Sequence, residues 1–323
     1  MSAGVCAQRH TKRVLLPPNT SFPLLLWKTA FTLARPGSRR LSPPYSIVYD
    51  NIGIYYDTTR PSRLEQLILA ADAMPSETLA QARQAMDFIL KHHLSKYNHA
   101  PELSDNHPLR SPSKSETVLI IDQTFGDMTI QYGGADASTF KLMFQTALNE
   151  NPQADIGVKT HPDVLCGKKQ GYLTQLVQQH RVHLLAEDIN PISLLQNVDK
   201  VYCVTSQMGF EALLCGKPLT TFGLPWYAGW GVSDDRHPKI GSLVQTQRRA
   251  PATCCSSSPQ PICNTAATST PIPAKQATSL MSSTIWRRSN AKTTNCVASY
   301  IASVCLCGNA RLPNRSLTYP LAV

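Results

Sequence analysis

The sequence predicts an α/β fold built on a parallel, doubly wound sheet, and three observations lead there. From Thr117 onward short β-branched apolar runs recur, helical spacing fills the gaps between them, and each run ends on a polar cluster. Val118 to Ile121, Ile156 to Lys159, Val182 to Leu185, Val201 to Val204 and Leu219 to Phe222 read as strands. Ser138 to Asn149, Lys169 to His180 and Pro191 to Gln196 read as helices, and another starts after Ser206 and stops at Gly216. The polar ends are Asp122 to Asp127, Thr160 to Asp163, Glu187-Asp188 and Thr205-Ser206. Such folds bind ligands outside the carboxyl ends of their strands, so the chemistry is expected at these clusters.

Upstream, Tyr45 to Asp57 reads as a strand and an aromatic turn. Thr58 to Ser62 caps a helix through about Ala71, and Ser76 to Leu94 forms a longer one. The polar, Pro-bearing stretch from Pro101 to Glu116 reads as a connector between domains.

The most informative stretch is Val201 to Leu214, where an apolar run meets Thr205-Ser206 and switches to helical spacing. The two hydroxyls and the free N–H groups of the first helical turn suit a phosphate, with the positive end of the helix dipole behind them. Glu211, about a turn further in, suits ribose hydroxyls. Each residue also has a plainer reading: Ser206 as an N-cap, His161 as a surface histidine, Asp122 and Asp127 as turn formers around Gly126. Their shared position at neighbouring strand ends, with Lys159 two residues before His161, favours a phosphate-binding set.

The net charge of +10 over 323 residues invites a nucleic-acid partner, but its distribution argues against one. All 21 acidic residues lie between Asp50 and Asp235, beside 14 Lys and Arg, a balance of −7. Residues 1–49 carry 7 basic residues and residues 236–323 carry 10, neither with any acid. These flanks are dilute in charge and rich in Ser, Thr and Pro, unlike a basic arm, so no nucleic-acid partner is expected. Re-reading permitted codons one base over turns Cys254 to Pro271 into an amphipathic helical pattern, so the tail reads as out of frame. Of the 10 cysteines, Cys166, Cys203 and Cys215 lie outside the flanks, without paired metal spacing, which predicts a reduced cytoplasmic protein with no metal. No run of about 20 apolar residues predicts a transmembrane span.

Six motifs then occur in order. They are Tyr55 to Pro61, Asp122-Gln123-Thr124 through Asp127, Lys159-Thr160-His161-Pro162-Asp163-Val164, Gly167 to Tyr172, Val204 to Leu214, and Trp226 to Gly231 followed by Asp234 to Pro238. Over about residues 43–238 the chain resembles the capsule polysaccharide biosynthesis and export proteins of the KpsC/LipA type, and the loop at Asp122 resembles the amino-terminal of that family's two catalytic modules.

The resemblance implies a GT-B-like architecture. One nearly complete Rossmann-like nucleotide-binding domain would span 116–238, preceded by a remnant of an acceptor-side domain at 43–115. Residues 1–42 and 239–323 would be non-native or disordered. It implies a retaining β-Kdo transferase that takes Kdo from CMP-Kdo, with no further cofactor, to a phosphatidylglycerol-based glycolipid. That places the protein in the cytoplasm, peripheral to the inner membrane and working with the capsule export machinery. Asp127 matches the family's nucleophile, with Asp122 assigned beside it as catalytic. His161 and Ser206 match phosphate ligands, with Lys159 and Thr205 assigned beside them, and Glu211 matches the ribose-binding position. The missing first domain implies an inactive chain. The alternatives are a catalytically dead fragment, or a nucleotide-sugar epimerase or sialyltransferase-like protein on the same fold.

Overall fold

The computed structural model describes residues 12–14, 25–29, 47–50, 52–73, 75–95, 100–110, 116–161, 164, 167, 169–174 and 181–250. The sequence expectations for the remainder of the head, for residues 175–180 and for residues 251–323 lie outside the described residues.

A small antiparallel sheet comes first, with β1 (Lys12–Val14), β2 (Leu25–Thr29) and β3 (Ile47–Asp50) in that order. Two of its strands fall inside the stretch expected to be non-native. There Leu25-Leu26-Trp27-Lys28-Thr29 has the aromatic and branched content that suits a strand. At the end of β3, Asp50 accepts from the N–H groups of Ile52 (2.8 Å) and Gly53 (2.9 Å), and its other oxygen accepts from Arg63 N at 2.8 Å. This turn delivers the chain to α1 (Arg63–Leu69), where Ser62 and Glu65 form the reciprocal capping box that the Ser-x-x-Glu spacing encodes. The longer α2 (Ser76–Lys91) follows.

The main sheet contains β4 (Thr117–Ile121), β5 (Asp155–Lys159), β6 (Val182–Leu185), β7 (Lys200–Cys203), β8 (Leu219–Thr221) and β9 (Asp234–Asp235). Their order is β6-β5-β4-β7-β8-β9 and every pairing is parallel. The helices are α3 (Met128–Tyr132), α4 (Ala137–Glu150), α5 (Pro191–Gln196), α6 (Gln207–Leu214) and α7 (Ile240–Gln245). The five predicted strands and the α4, α5 and α6 helices are present within a residue or two of their expected limits. The helix expected from Lys169 does not begin there: residues 169–174 form bends and a bridge between Thr124 and Gly171. Gly216 ends α6 with φ at 70°, Gly216 N bonding to Leu213 O and Lys217 N to Ala212 O, the Schellman pattern its position implied.

Because side chains alternate across a strand, each central strand feeds two cores. Leu119, Ile121, Val201 and Cys203 face one cluster with Leu194, Leu195, Phe210 and Leu213 from α5 and α6. Val118, Ile120, Tyr202 and Val204 face the other, with Ile130 of α3 and Phe140, Met143, Phe144 and Ala147 of α4. The sheet is therefore wound on both sides.

The first cluster also contains Leu64 and Ile68 of α1 and Leu103 and Leu109 of the expected connector. Leu64, Ile68, Leu103 and Leu109 therefore share a core with the parallel sheet, and the described part of 101–116, expected as a connector, is packed against it. Leu103 N bonds Ser193 Oγ at 3.0 Å and Asn190 N bonds Pro101 O at 2.7 Å, fixing it to α5.

The module also extends past 238. In α7 Leu243 is buried, and Arg248 and Arg249 both reach the Glu65 carboxylate at 3.0 Å. Residues 240–249, expected to lie in a non-native tail, thus pack on the module.

Candidate functional site

The strand order reverses between β4 and β7, which opens a crevice where both strands end. A cavity of about 140 Å³ lies there, lined by Asp122, Asp127, Lys159, His161, Thr205, Ser206 and Glu211 among others. All seven residues chosen from the sequence therefore meet in one place, although 89 positions separate Asp122 from Glu211 in the chain.

Their local roles differ. Asp127 is the N-cap of α3 and, among the described residues, its side chain accepts one hydrogen bond, from Thr129 N at 3.0 Å. It is half-buried, and its carboxylate borders the cavity. Asp122 is 3% exposed, with Oδ1 accepting from Gln123 N (2.8 Å) and Tyr172 N (3.0 Å) and Oδ2 accepting from Leu173 N (3.2 Å). Burial raises its pKa above the usual 3.8, while the three N–H groups pull it the other way. Asp122 was expected to be catalytic; in the structure its carboxylate oxygens accept from three backbone N–H groups and so pin the Asp122–Asp127 loop to the chain at 170–173.

Gly171 completes that pin. A Cβ there would overlap the Asp122 carboxylate and Thr174 Oγ1. Phe125 N donates to Gln170 O at 2.7 Å, so the two loops are joined at several points. Gln170, Gly171 and Tyr172 of the Gly167 to Tyr172 motif thus support the loop that carries Asp127.

Across the switch point, Gln123 ties β4 to β7. Its Oε1 accepts from Thr205 N at 2.9 Å, and its Nε2 lies 3.1 Å from Thr205 Oγ1. Thr205 Oγ1 is also 3.3 Å from Thr129 Oγ1, so the threonine expected to face a phosphate is occupied by the scaffold. Ser206 caps α6, its Oγ accepting from Met208 N at 3.2 Å, and still lines the cavity. Both readings of Ser206 are compatible, because a hydroxyl that accepts one hydrogen bond retains a proton to donate.

Lys159 is 6% exposed at the end of β5, its Nζ donating to Glu187 O at 2.7 Å. Desolvation lowers its pKa, and the charges of Asp188 and Glu187 partly restore it. His161, two residues on, is half-buried on the cavity wall. Glu211 is 5% exposed and accepts from Ser95 Oγ at 2.7 Å, a bond that joins the end of the helical arm to the site.

Sequence reasoning passed over Gln123, Thr129, Asp188, Tyr55, Tyr56 and Trp226, which also line the cavity. The signal was present for Gln123, Trp226 and the two tyrosines, which sit inside quoted motifs, and for Asp188, which lies in a polar strand end. Trp226 packs on Phe210 with ring centroids 4.6 Å apart, and the carbonyls of Pro225 and Ala228 accept from Arg249 Nη1 at 2.7 and 3.0 Å. The aromatic Gly-rich loop thus forms one wall, held from behind by a buried cation.

Among the described residues, no group of three or more His, Cys, Asp or Glu could hold a metal ion, and no helix is long and apolar enough to cross a membrane.

The chain is similar to several known proteins. The capsule polysaccharide modification protein LipA of Neisseria meningitidis serogroup A is 96% identical over 209 residues, covering 65% of this chain and 30% of that protein. The lipopolysaccharide-processing protein LpsZ of Rhizobium meliloti is 38% identical over 198 residues, covering 60% of this chain and 44% of that one. The chain thus spans less than half the length of these curated relatives. Among solved structures, Thermosulfurimonas dismutans KpsC, a beta Kdo 2,4 transferase, shares 44% identity and a TM-score of 0.57 over 60% of each chain. The fold is accordingly a Rossmann-like half of a GT-B-like architecture. The family described as capsule polysaccharide biosynthesis protein matches residues 34–256, and the chain belongs to it.

Proposed function

We propose that this chain is the donor-binding half of a glycosyltransferase that moves Kdo from CMP-Kdo to a phosphatidylglycerol-based lipid during capsule synthesis, with retention of configuration. The observation that carries the reading is the meeting of Asp127 with His161, Ser206 and Glu211 in one cavity at the switch point of a parallel sheet. The 44% identity to a beta Kdo 2,4 transferase supports the sugar.

In this reading α6 presents its N-terminus and the Ser206 hydroxyl to the CMP phosphate, with His161 as a second donor. Glu211, oriented by Ser95, accepts from the ribose hydroxyls. The Asp127 carboxylate attacks the anomeric carbon of Kdo as the bond to the phosphate oxygen breaks, and CMP leaves with the electron pair. An acceptor hydroxyl then gives its proton to solvent water as its oxygen displaces the Asp127 carboxylate, so two inversions give net retention. Asp127 suits this step because its cap bond orients the carboxylate from a rigid helix end. Loss of that one bond would not unfold the loop, which Asp122 pins separately.

Calorimetric titration with CMP and UDP tests the binding half. CMP should bind in preference to UDP. Ser206→Ala and His161→Ala should each weaken CMP roughly tenfold or more, the value of a charge-assisted donor. Equal affinity for the two nucleotides, or CMP binding indifferent to both substitutions, would refute the placement.

A further inference from the structure

The end of β5 carries a hydroxyl that the described fold does not use. Thr160 is 1% exposed, and its Oγ1 has no hydrogen-bond partner among the described residues. The residue lines the cavity between Lys159 and His161. The other serine and threonine hydroxyls on this wall are engaged: Thr129 and Thr205 with each other and with Gln123, and Ser206 with Met208 N. Buried polar groups are nearly always paired, because a desolvated hydroxyl without a partner destabilises the fold. The hydroxyl itself is enclosed, so it meets a ligand only by turning about χ1, and an unpaired group beside a binding cavity marks a position where stability gives way to ligand binding.

We infer that Thr160 is a donor-binding residue whose hydroxyl hydrogen-bonds an oxygen of the nucleotide phosphate. The inference rests on the CMP-donor reading above and adds a ligand to it. Thr160 lies between Lys159 and His161 in sequence, both on the cavity wall, so nitrogen-bearing side chains flank it, whereas the carboxylate of Glu211 suits the neutral ribose. A threonine hydroxyl has a proton to give and a phosphate has only acceptors, so the pairing satisfies both. The Thr160 N–H is already bonded to Leu185 O at 3.4 Å, which leaves the side chain as the available donor.

The test uses the full chain, its Thr160→Val variant, which exchanges hydroxyl for methyl at nearly constant shape, and its Thr160→Ser variant. Thr160→Val should bind CMP roughly tenfold more weakly, and Thr160→Ser should stay within about threefold of the parent. Cytidine, which lacks the phosphate, should bind Thr160→Val and the parent alike. Without ligand, Thr160→Val should melt at the parent's temperature or about 2 to 4 °C above it, because the orphaned hydroxyl is gone. Undiminished CMP affinity in Thr160→Val overturns the inference. So does an equal loss for cytidine, or a lowered melting temperature, which would give the hydroxyl a purely structural role. Failure of the parent to bind CMP overturns the donor reading as well, whereas CMP binding that is insensitive to Thr160→Val overturns this inference alone.

Discussion

Replacing Arg249 by Met removes a guanidinium that is 1% exposed while roughly keeping its volume. Arg249 Nε lies 3.0 Å from Glu65 Oε1, and its Nη1 donates to Pro225 O and Ala228 O at 2.7 and 3.0 Å. Breaking a buried ion pair by deleting one partner costs about 3 to 5 kcal/mol, since the other charge stays buried. Here Arg248 still reaches Glu65 at 3.0 Å, which moderates that loss, while the two carbonyls lose a charged donor, which adds to it. A total near 4 kcal/mol, with a urea m-value of about 2 kcal/mol/M, lowers the unfolding midpoint by roughly 2 M. Glu65→Leu should cost a similar amount by leaving two arginines facing each other. The double variant should cost less than the sum of the singles by at least about 1 kcal/mol. Urea unfolding of the four proteins measures this. A cost below about 1 kcal/mol for Arg249→Met, or additive costs, would refute the view that this cluster fastens the end of the module to α1.

The same cluster predicts that a chain ending at Pro238 is several kcal/mol less stable than one ending at Ala250; equal melting temperatures would contradict this. Gly171→Ala should weaken CMP binding at least tenfold by displacing the Asp122 carboxylate and the loop it holds, and unchanged affinity would contradict the pinning role. Asp122→Asn should destabilise by about 1 to 3 kcal/mol, because an amide nitrogen would face one of the three N–H groups. Burial raises the folded-state pKa of Asp122 above 3.8, so the stability from its protonation is full below that pH and is lost as pH rises through the raised value. The penalty of Asp122→Asn should therefore be larger at pH 4 than at pH 7, and a penalty that grows with pH would show the sign to be wrong.

The sheet and its ligand edge were legible because their signals are local. β-branched runs, the Ser62-x-x-Glu65 box, the Thr-Ser entry to α6 and the Gly216 stop each act within a few residues, and their consistency points to one fold. The crevice followed from topology, which let Asp127, His161 and Ser206 be gathered before any distance was known. Elements set by distant partners were not legible. In sequence Arg248 and Arg249 stand in an acid-free stretch and look like part of an unselected tail, yet their counterion, Glu65, lies 183 and 184 positions away. Leu103 and Leu109 sit in a polar segment that resembles a linker, and only the apolar face of α5 and α6 makes them core. The five-residue α3 is too short to show a helical period, and its cap is the very aspartate assigned to chemistry. Asp122 and Asp127 share a residue type, so only the count of N–H groups around each carboxylate separates the loop holder from the free acid.

The central claim is that Asp127 takes the sugar from a nucleotide held at the switch point, and intact-protein and peptide mass spectrometry after incubation with CMP-Kdo, without acceptor, tests it most directly. A mass increase of one Kdo residue is expected on the peptide containing Asp127, absent from Asp127→Asn, which retains the N-cap and binds CMP nearly as well as the parent. An adduct on another carboxylate, one that survives in Asp127→Asn, or intact CMP-Kdo with no adduct at all, would contradict it.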